Sequence, residues 1–267
     1  MEPLLNIAVK AALRAGDIML RYRNQLDNVT VTEKSKNDFV SEVDIRIEQA
    51  IIENIQRAHP DHSILAEESG SIDGTEDVQW IIDPIDGTTN YLRGLPHFAV
   101  SIGIKIKNRI EYGVIYDPSL QELFTAKRGS GARLNDRRIR VGKVIDLSQA
   151  LLGTGFSRRQ TEFTHQHMAS IQALLGKCGG FRRAGSAALD LAYVAAGRLD
   201  GLWEFGLKPW DLAAGSLLIR EAGGLITDFE GGENFAETGN VIAANPKLFK
   251  ELLRTLHSSI SENASQA

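Results

Sequence analysis

Residues 80–91 read WIIDPIDGTTNY. An apolar run, Trp80 to Ile82, drives straight into Asp83-Pro84-Ile85-Asp86-Gly87, and two threonines follow. The apolar residues and the turn residues after them read as a strand that ends at Asp83. Proline fixes its own φ and holds the residue before it extended, so both aspartates stand on stiff backbone. Gly87 permits a sharp bend, and Thr88-Thr89 is a natural helix opening. The free amides of a helix N-terminus suit a phosphate. Carboxylates beside them suit magnesium, which takes hard oxygen ligands and shares its shell with phosphate and water. Asp-Gly followed by a hydroxyl residue is also ordinary turn chemistry, so this stretch alone leaves both readings open.

Other acids occupy comparable places. Glu67-Glu68 follows a predicted strand at 63–66, Glu204 closes one at 201–204, and Asp211 in Pro209-Trp210-Asp211 sits at the mouth of a helix. Singly, Asp211 reads as an N-cap and Glu68 and Glu204 as surface charges. Together they share a topology, because open α/β sheets place their sites at strand ends.

Leu4, Ala8, Ala11, Ala15, Ile18 and Tyr22 form one stripe of a long amphipathic helix, and Val40, Val43, Ile47, Ile51 and Ile55 form a second, stopped by His59-Pro60. The segment TEKSKND between them reads as a polar loop. Strands follow at 78–82, 98–107, 110–116 and 123–127, the middle two as a hairpin turning at Lys107-Asn108-Arg109. From about residue 150 strands (150–153, 201–204, 225–228, 241–244) alternate with helices (161–175, 186–196, 211–222 and one opened by Pro246). The expectation is an α+β half, 1–145, packed on an α/β half, 146–267, in layers of helices and sheets.

The composition sets bounds. The 267 residues are 43% hydrophobic and 24% charged, enough for a substantial core. A net charge of −4 argues against a protein built mainly to hold nucleic acid. A single cysteine, Cys178, fits a reducing compartment. Lys10 and Arg14 interrupt the first apolar pattern, which makes it a poor signal peptide, and no apolar run reaches about 18 residues. A cytoplasmic protein without a membrane partner is expected.

The motifs AEESG (66–70), WIIDPIDGTTNY (80–91), GSAALDLAYVAAGRLDG (185–201) and PWDLAAGSLLIREAGG (209–224), in this order, resemble the inositol monophosphatase family of the magnesium-dependent, lithium-sensitive phosphatase superfamily. The N-terminal LNIAVKAALRAGD is most similar to its bacterial SuhB-type branch. The resemblance implies a layered α-β-α-β-α sandwich of the sugar-phosphatase type, a homodimer, and two or three Mg2+ per site. Glu67, Asp83 and the Ile85 carbonyl would bind the first ion; Asp83, Asp86 and Asp211 the second; Glu67 would also face a third. Gly87 and Thr88 would contact the phosphate, and Asp44 with Thr88 would orient the attacking water. Ser186, Ala187 and Glu204, beside Asp86 and Asp211, would meet the inositol hydroxyls. Lys34 lies in a segment resembling a mobile metal-site loop and receives no role. The implied reaction is hydrolysis of inositol monophosphate. Enzymes for fructose bisphosphate and 3′-phosphoadenosine phosphate share the aspartate motif and are alternative readings. The same branch is associated with transcription antitermination, with Nus factors and RNA polymerase as partners.

Other chemistries find little support. Gly153-Thr154-Gly155 begins like a dinucleotide fingerprint, but Arg158 takes the third glycine's place; no P-loop or GxSxG motif occurs. His165 and His167 point to different sides of a predicted helix and read as surface residues. Arg133, Arg137, Arg138, Arg140 and Lys143, with the pairs Arg158-Arg159 and Arg182-Arg183, read as solvated faces or a dimer rim.

Overall fold

The computed structural model describes residues 2–23, 31–35, 38–156 and 163–264. Helix α1 (Pro3–Arg23) is followed by a small hairpin, β1 (Val31–Ser35) and β2 (Asp38–Ser41), and by α2 (Glu42–Ala58). The hairpin replaces most of the polar loop expected at TEKSKND. Val31, Thr32, Phe39 and Val40 are β-formers flanking the charged residues, and Thr32 pairs with Val40.

An eight-stranded sheet comes next: β3 (Ser63–Ala66), β4 (Gly70–Ile72), β5 (Val78–Asp86), β6 (Ala99–Ile106), β7 (Arg109–Asp117), β8 (Glu122–Lys127), β9 (Gly131–Leu134) and β10 (Arg137–Arg138). Its spatial order is β10-β9-β8-β7-β6-β5-β3-β4, antiparallel except where β3 runs parallel to β5. The β6–β7 hairpin turns at Lys107 and Asn108, both with positive φ (48° and 65°). The short α3 (Thr88–Leu92) interrupts the sheet between β5 and β6.

A second, five-stranded sheet follows in the order β12-β11-β13-β15-β14, from β11 (Leu151–Thr154), β12 (Gly180–Arg182), β13 (Gly201–Glu204), β14 (Leu225–Thr227) and β15 (Val241–Ala244). Its helices are α4 (Thr164–Leu174), α5 (Ala187–Ala195), α6 (Pro209–Glu221), α7 (Phe235–Thr238) and α8 (Pro246–Ala264).

Three apolar clusters make five layers. Ala8, Ala15, Ile47 and Ile51 of α1 and α2 pack on Trp80, Ile82, Val100 and Ile102 of the large sheet. The other face of that sheet, through Ala99, Ile115 and Phe124, meets α5 and α6, which also cover Leu202 and Val241 of the small sheet. Trp203 and Ile242, on the small sheet's far face, pack on Leu174 of α4 and Leu248 and Leu252 of α8. The molecule is an α-β-α-β-α sandwich. Among the described residues no helix is long and apolar enough to cross a membrane.

Candidate active site

Strand β5 does not stop at Asp83. It continues through Pro84 to Asp86, pairing Asp83 with Ser101 and Asp86 with Ala99. Three residues of advance on β5 therefore oppose two on β6, which is a bulge. Proline lacks the N–H that a regular ladder needs at this point. The bulge has a chemical consequence. In a regular strand, residues three apart face opposite sides of the sheet. The extra residue cancels that alternation and lets both carboxylates face one point.

Asp211 reaches the same point from the second half of the chain. Helix α6 lies against β6 and β7 where Gly103 and Gly113 stand opposite each other. A Cβ on Gly103 would come within 2.6 Å of the Ala213 methyl, and one on Gly113 within 2.8 Å of the Ala214 carbonyl oxygen. Ser101, the register partner of Asp83, donates its hydroxyl to the Trp210 carbonyl at 3.1 Å. That contact brings the start of α6 beside Asp83. Asp211 is not the N-cap: it is third in the helix and accepts from the Lys208 backbone N–H at 2.7 Å. Oxygen atoms of Asp83, Asp86 and Asp211 all lie within 4.8 Å of one another.

Glu67 follows β3, whose parallel pairing sets Ala66 beside Ile82, and its own amide donates to the Ile82 carbonyl at 3.2 Å. The turn after it is anchored by Glu48, a buried acid on α2 that accepts from the Glu68 and Ser69 amides at 2.8 Å each. Sequence reasoning passed over Glu48. The available signal was its place four residues after Asp44 on the buried side of α2.

Asp44 is buried at the start of α2 and accepts from the Thr88 hydroxyl at 3.3 Å. The same hydroxyl lies 3.0 Å from the Ile85 carbonyl oxygen. One proton serves two acceptors, so Thr88 donates to one at a time. Helix α3 is only one turn long, so only a few free amides stand at its start. Gly87 there has φ +93°, and a Cβ on it would come within 3.0 Å of the His97 carbonyl oxygen. Asn90, also unforeseen, ties this turn across the layers by donating to the carbonyls of His97 (2.8 Å) and Ala184 (2.9 Å).

Asp86 sits against the N-terminus of α5, whose N-cap is Ser186. It accepts from the Ser186 hydroxyl and from the Ala188 amide at 2.8 Å. Ala187 opens the helix between them. Glu204, at the end of β13, is 6% exposed, so the reading of it as a surface charge gives way to a buried acid. Asp190 of α5, 2% exposed and not foreseen, is the largest single electrostatic influence on Glu204.

The electrostatics follow from this crowding. Burial, then Glu67, Asp86 and Asp211, push the Asp83 carboxyl well above the usual carboxylate range. Glu204 is raised likewise by burial and then by Asp190, Asp86 and Asp211. Asp86 is raised by burial, against the Ser186 hydroxyl and the Ala188 and Ala187 amides, which favour its anion. Asp83 Oδ1 is buried and has no hydrogen-bond partner. An orphaned oxygen on an acid clustered with two others is what a divalent cation would satisfy, and all the donors are the hard oxygens such a cation prefers.

Elsewhere the expectations divide. His165 is exposed, but His167 is buried, its ring 5.3 Å from Phe156 and 5.9 Å from Phe205, with neither ring nitrogen hydrogen-bonded. The apolar surroundings of α4 on the small sheet draw it in. Arg133, Arg137, Arg138, Arg140, Lys143, Arg182 and Arg183 are exposed. Arg158 and Arg159, and the side chains of Lys34 and Val40, lie outside the described residues.

A bulge-aimed acid cluster that could hold a metal ion, set in a five-layer sandwich, fits a phosphatase class. The inositol monophosphatase family model matches residues 1–262, and the chain belongs to that family. It is 50% identical to the Nus factor SuhB of Escherichia coli (strain K12) over 263 residues, 98% of each chain. Among solved structures it is similar to the extragenic suppressor protein SuhB from Bartonella henselae, at 42% identity and TM-score 0.93 over 96% of this chain and 98% of that one. It is also similar to the Thermotoga maritima IMPase, at 34% identity and TM-score 0.89 over 98% and 99%.

Proposed function

We propose that this phosphatase hydrolyses inositol monophosphate to inositol and phosphate with magnesium. The observation that carries the reading is the convergence of Asp83, Asp86 and Asp211, the first of which has a buried oxygen without a hydrogen-bond partner. Glu67, Asp83 and the Ile85 carbonyl would hold one ion, Asp83, Asp86 and Asp211 a second, with Glu67 facing a third. Bound magnesium supplies the positive charge that a phosphate monoester needs at its entering and leaving oxygens. The protein's own groups do the rest. The Gly87 and Thr88 amides receive the phosphate oxygens. Thr88 and Asp44 form a short relay: the hydroxyl orients water, and the buried carboxylate accepts the proton it releases. Ser186 holds Asp86 in place and, with Ala187 and Glu204, faces the leaving alcohol; a buried acid there suits a hydroxyl donor better than an anion.

The test is phosphate release from inositol 1-phosphate, fructose 1,6-bisphosphate and 3′-phosphoadenosine 5′-phosphate, with magnesium, with chelator, and with lithium added. Inositol 1-phosphate should be preferred, and activity should vanish in chelator and fall in lithium. Activity indifferent to chelator would sink the reading. A homodimer is proposed with it; light scattering at micromolar concentration reads the mass directly.

A second reading rests on the 50% identity to a Nus factor over nearly the whole chain. It makes the protein a member of an antitermination assembly with Nus factors and RNA polymerase. Co-sedimentation of the inactive Asp83→Asn variant with those purified proteins separates the two roles.

A further inference from the structure

The outer side of the α1–α2 layer carries a groove of about 630 Å³ that catalysis leaves unused. Arg14, Arg21 and Tyr22 line it from α1, and Arg46, Gln49 and Glu53 from α2. Arg14 and Arg21 are two helical turns apart, so both face the groove at positions about 10 Å apart along the axis. Arg46 lies over the Tyr22 ring, 5.4 Å from its centroid, and donates to its hydroxyl. With Arg46 against Tyr22 at one end, the lining runs back along α1 to Arg14 and on along α2 to Glu53, so the two helices lie antiparallel along the groove. Glu53, two turns further along α2, therefore comes level with Arg14.

The charge in the groove is uneven as a result. Two guanidiniums, Arg21 and Arg46, stand at one end, and among the described lining residues no acid stands beside them. The other end mixes Arg14 with Glu53, and Gln49 lies between. No ion pair among the described residues uses any of these four charged side chains. Guanidinium forks match phosphoryl oxygens, and the volume is that of a small-molecule site.

We propose that this groove binds a small phosphorylated organic molecule, its phosphoryl group between Arg21 and Arg46 and its hydrogen-bond donors against Gln49 and Glu53. A continuous polyanion, whether a nucleic-acid strand or an acidic peptide, meets Glu53 at the far end and is repelled there. The site is separate from the acid cluster: it lies on the outer side of α2, whose buried side carries Asp44 and Glu48.

The experiment is calorimetric titration of the full chain in chelator, with inorganic phosphate, adenosine 5′-monophosphate and glucose 6-phosphate as probes. Without a cation the cluster around Asp83 is a group of acids that repels all three, so the heat reports the groove. One saturable site per chain is expected, with at least one organic probe bound about tenfold tighter than phosphate. The double variant Arg21→Ala/Arg46→Ala should weaken every probe about tenfold or more. Gln49→Ala/Glu53→Ala should weaken the organic probe alone, and Asp83→Asn should change none of them. All four groove side chains are exposed, and unchanged melting temperatures would verify that the variants fold. The proposal is overturned by the absence of saturable binding at millimolar probe. It is equally overturned by affinities that the arginine pair does not alter, or by phosphate binding as tightly as both organic probes.

Discussion

The two helix layers that cover the large sheet behave differently. The α1–α2 layer packs isoleucines and alanines on Trp80 and Val100 and sends only two acids, Asp44 and Glu48, toward the site. Both are satisfied locally, by Thr88 and by two backbone amides. The α5–α6 layer approaches so closely that glycines stand where β6 and β7 meet α6. It delivers Asp211 next to Asp83 and Asp86 and adds Asp190 to the neighbourhood of Glu204; burial first, and then these neighbouring charges, raise Asp83 and Glu204. The first layer orients groups; the second assembles charges that repel until something positive joins them. The acid cluster forms where α6 lies close on the sheet and like charges crowd together.

Breaking the acid cluster should have the largest effect. Asp83→Asn is expected to lower turnover about a thousandfold, the scale for removing a group that acts at the transition state. It should leave the metal-free fold intact, because a repelling charge is gone. Wild type should gain about 2.7 kcal/mol at a hundred times the magnesium dissociation constant, and the variant should lose most of that gain. Turnover assays and melting curves with and without magnesium read both; normal turnover with an unchanged magnesium shift would reduce DPIDGTT to a turn.

The same comparison has a pH form. Asp83, Asp190 and Glu204 have folded-state pKa values raised above their unfolded ones. Between the two values the native state holds more protons, so its stability falls as pH rises. Chelated protein should therefore lose stability steadily as pH climbs from about 4 through the raised values. Saturating magnesium should flatten that slope, and denaturant melts across pH check the sign.

Next in size is the packing that creates the closeness. Gly103→Val puts carbon atoms where Ala213 already stands, and overpacking of this kind costs about 1–3 kcal/mol. Because α6 must shift, Asp211 moves with it, so affinity for magnesium should drop alongside stability. A loss of stability with unchanged magnesium affinity would uncouple the layer from the site.

On the orienting side, Glu48→Gln keeps the shape but weakens two charge-assisted hydrogen bonds. About 1.5–3 kcal/mol of stability is at stake. The Glu67 turn should loosen, raising the magnesium concentration needed for half-maximal activity more than it lowers the maximal rate. The smallest effect belongs to His167→Phe on α4, outside the two helix layers that cover the large sheet. Its ring nitrogens have no partners, so an apolar ring of similar shape should be neutral or slightly stabilising in a denaturant melt.

Much of this molecule was legible in one dimension. The helical stripes of α1 and α2 and the strand at 63–66 follow from periodicity, because each turns one face inward, and the β6–β7 hairpin follows from its alternation and its turn residues. Asp83, Asp86 and Gly87 stand out because proline and glycine constrain the backbone locally. What periodicity could not supply was depth and approach. Nothing in the run around Glu204 or His167 marks them as buried, since burial depends on which helix later covers the strand. The β5 bulge arises from Pro84 meeting an antiparallel partner, and only that pairing turns Asp83 and Asp86 to the same side. Asp211 joins them from 125 residues away because Gly103 and Gly113 let α6 lie on the sheet. The sequence by itself determined which residues carry carboxylate oxygens and which segments are stiff. Whether those oxygens meet was decided by tertiary packing, because a cluster of like charges forms only where close-packed backbone holds it together.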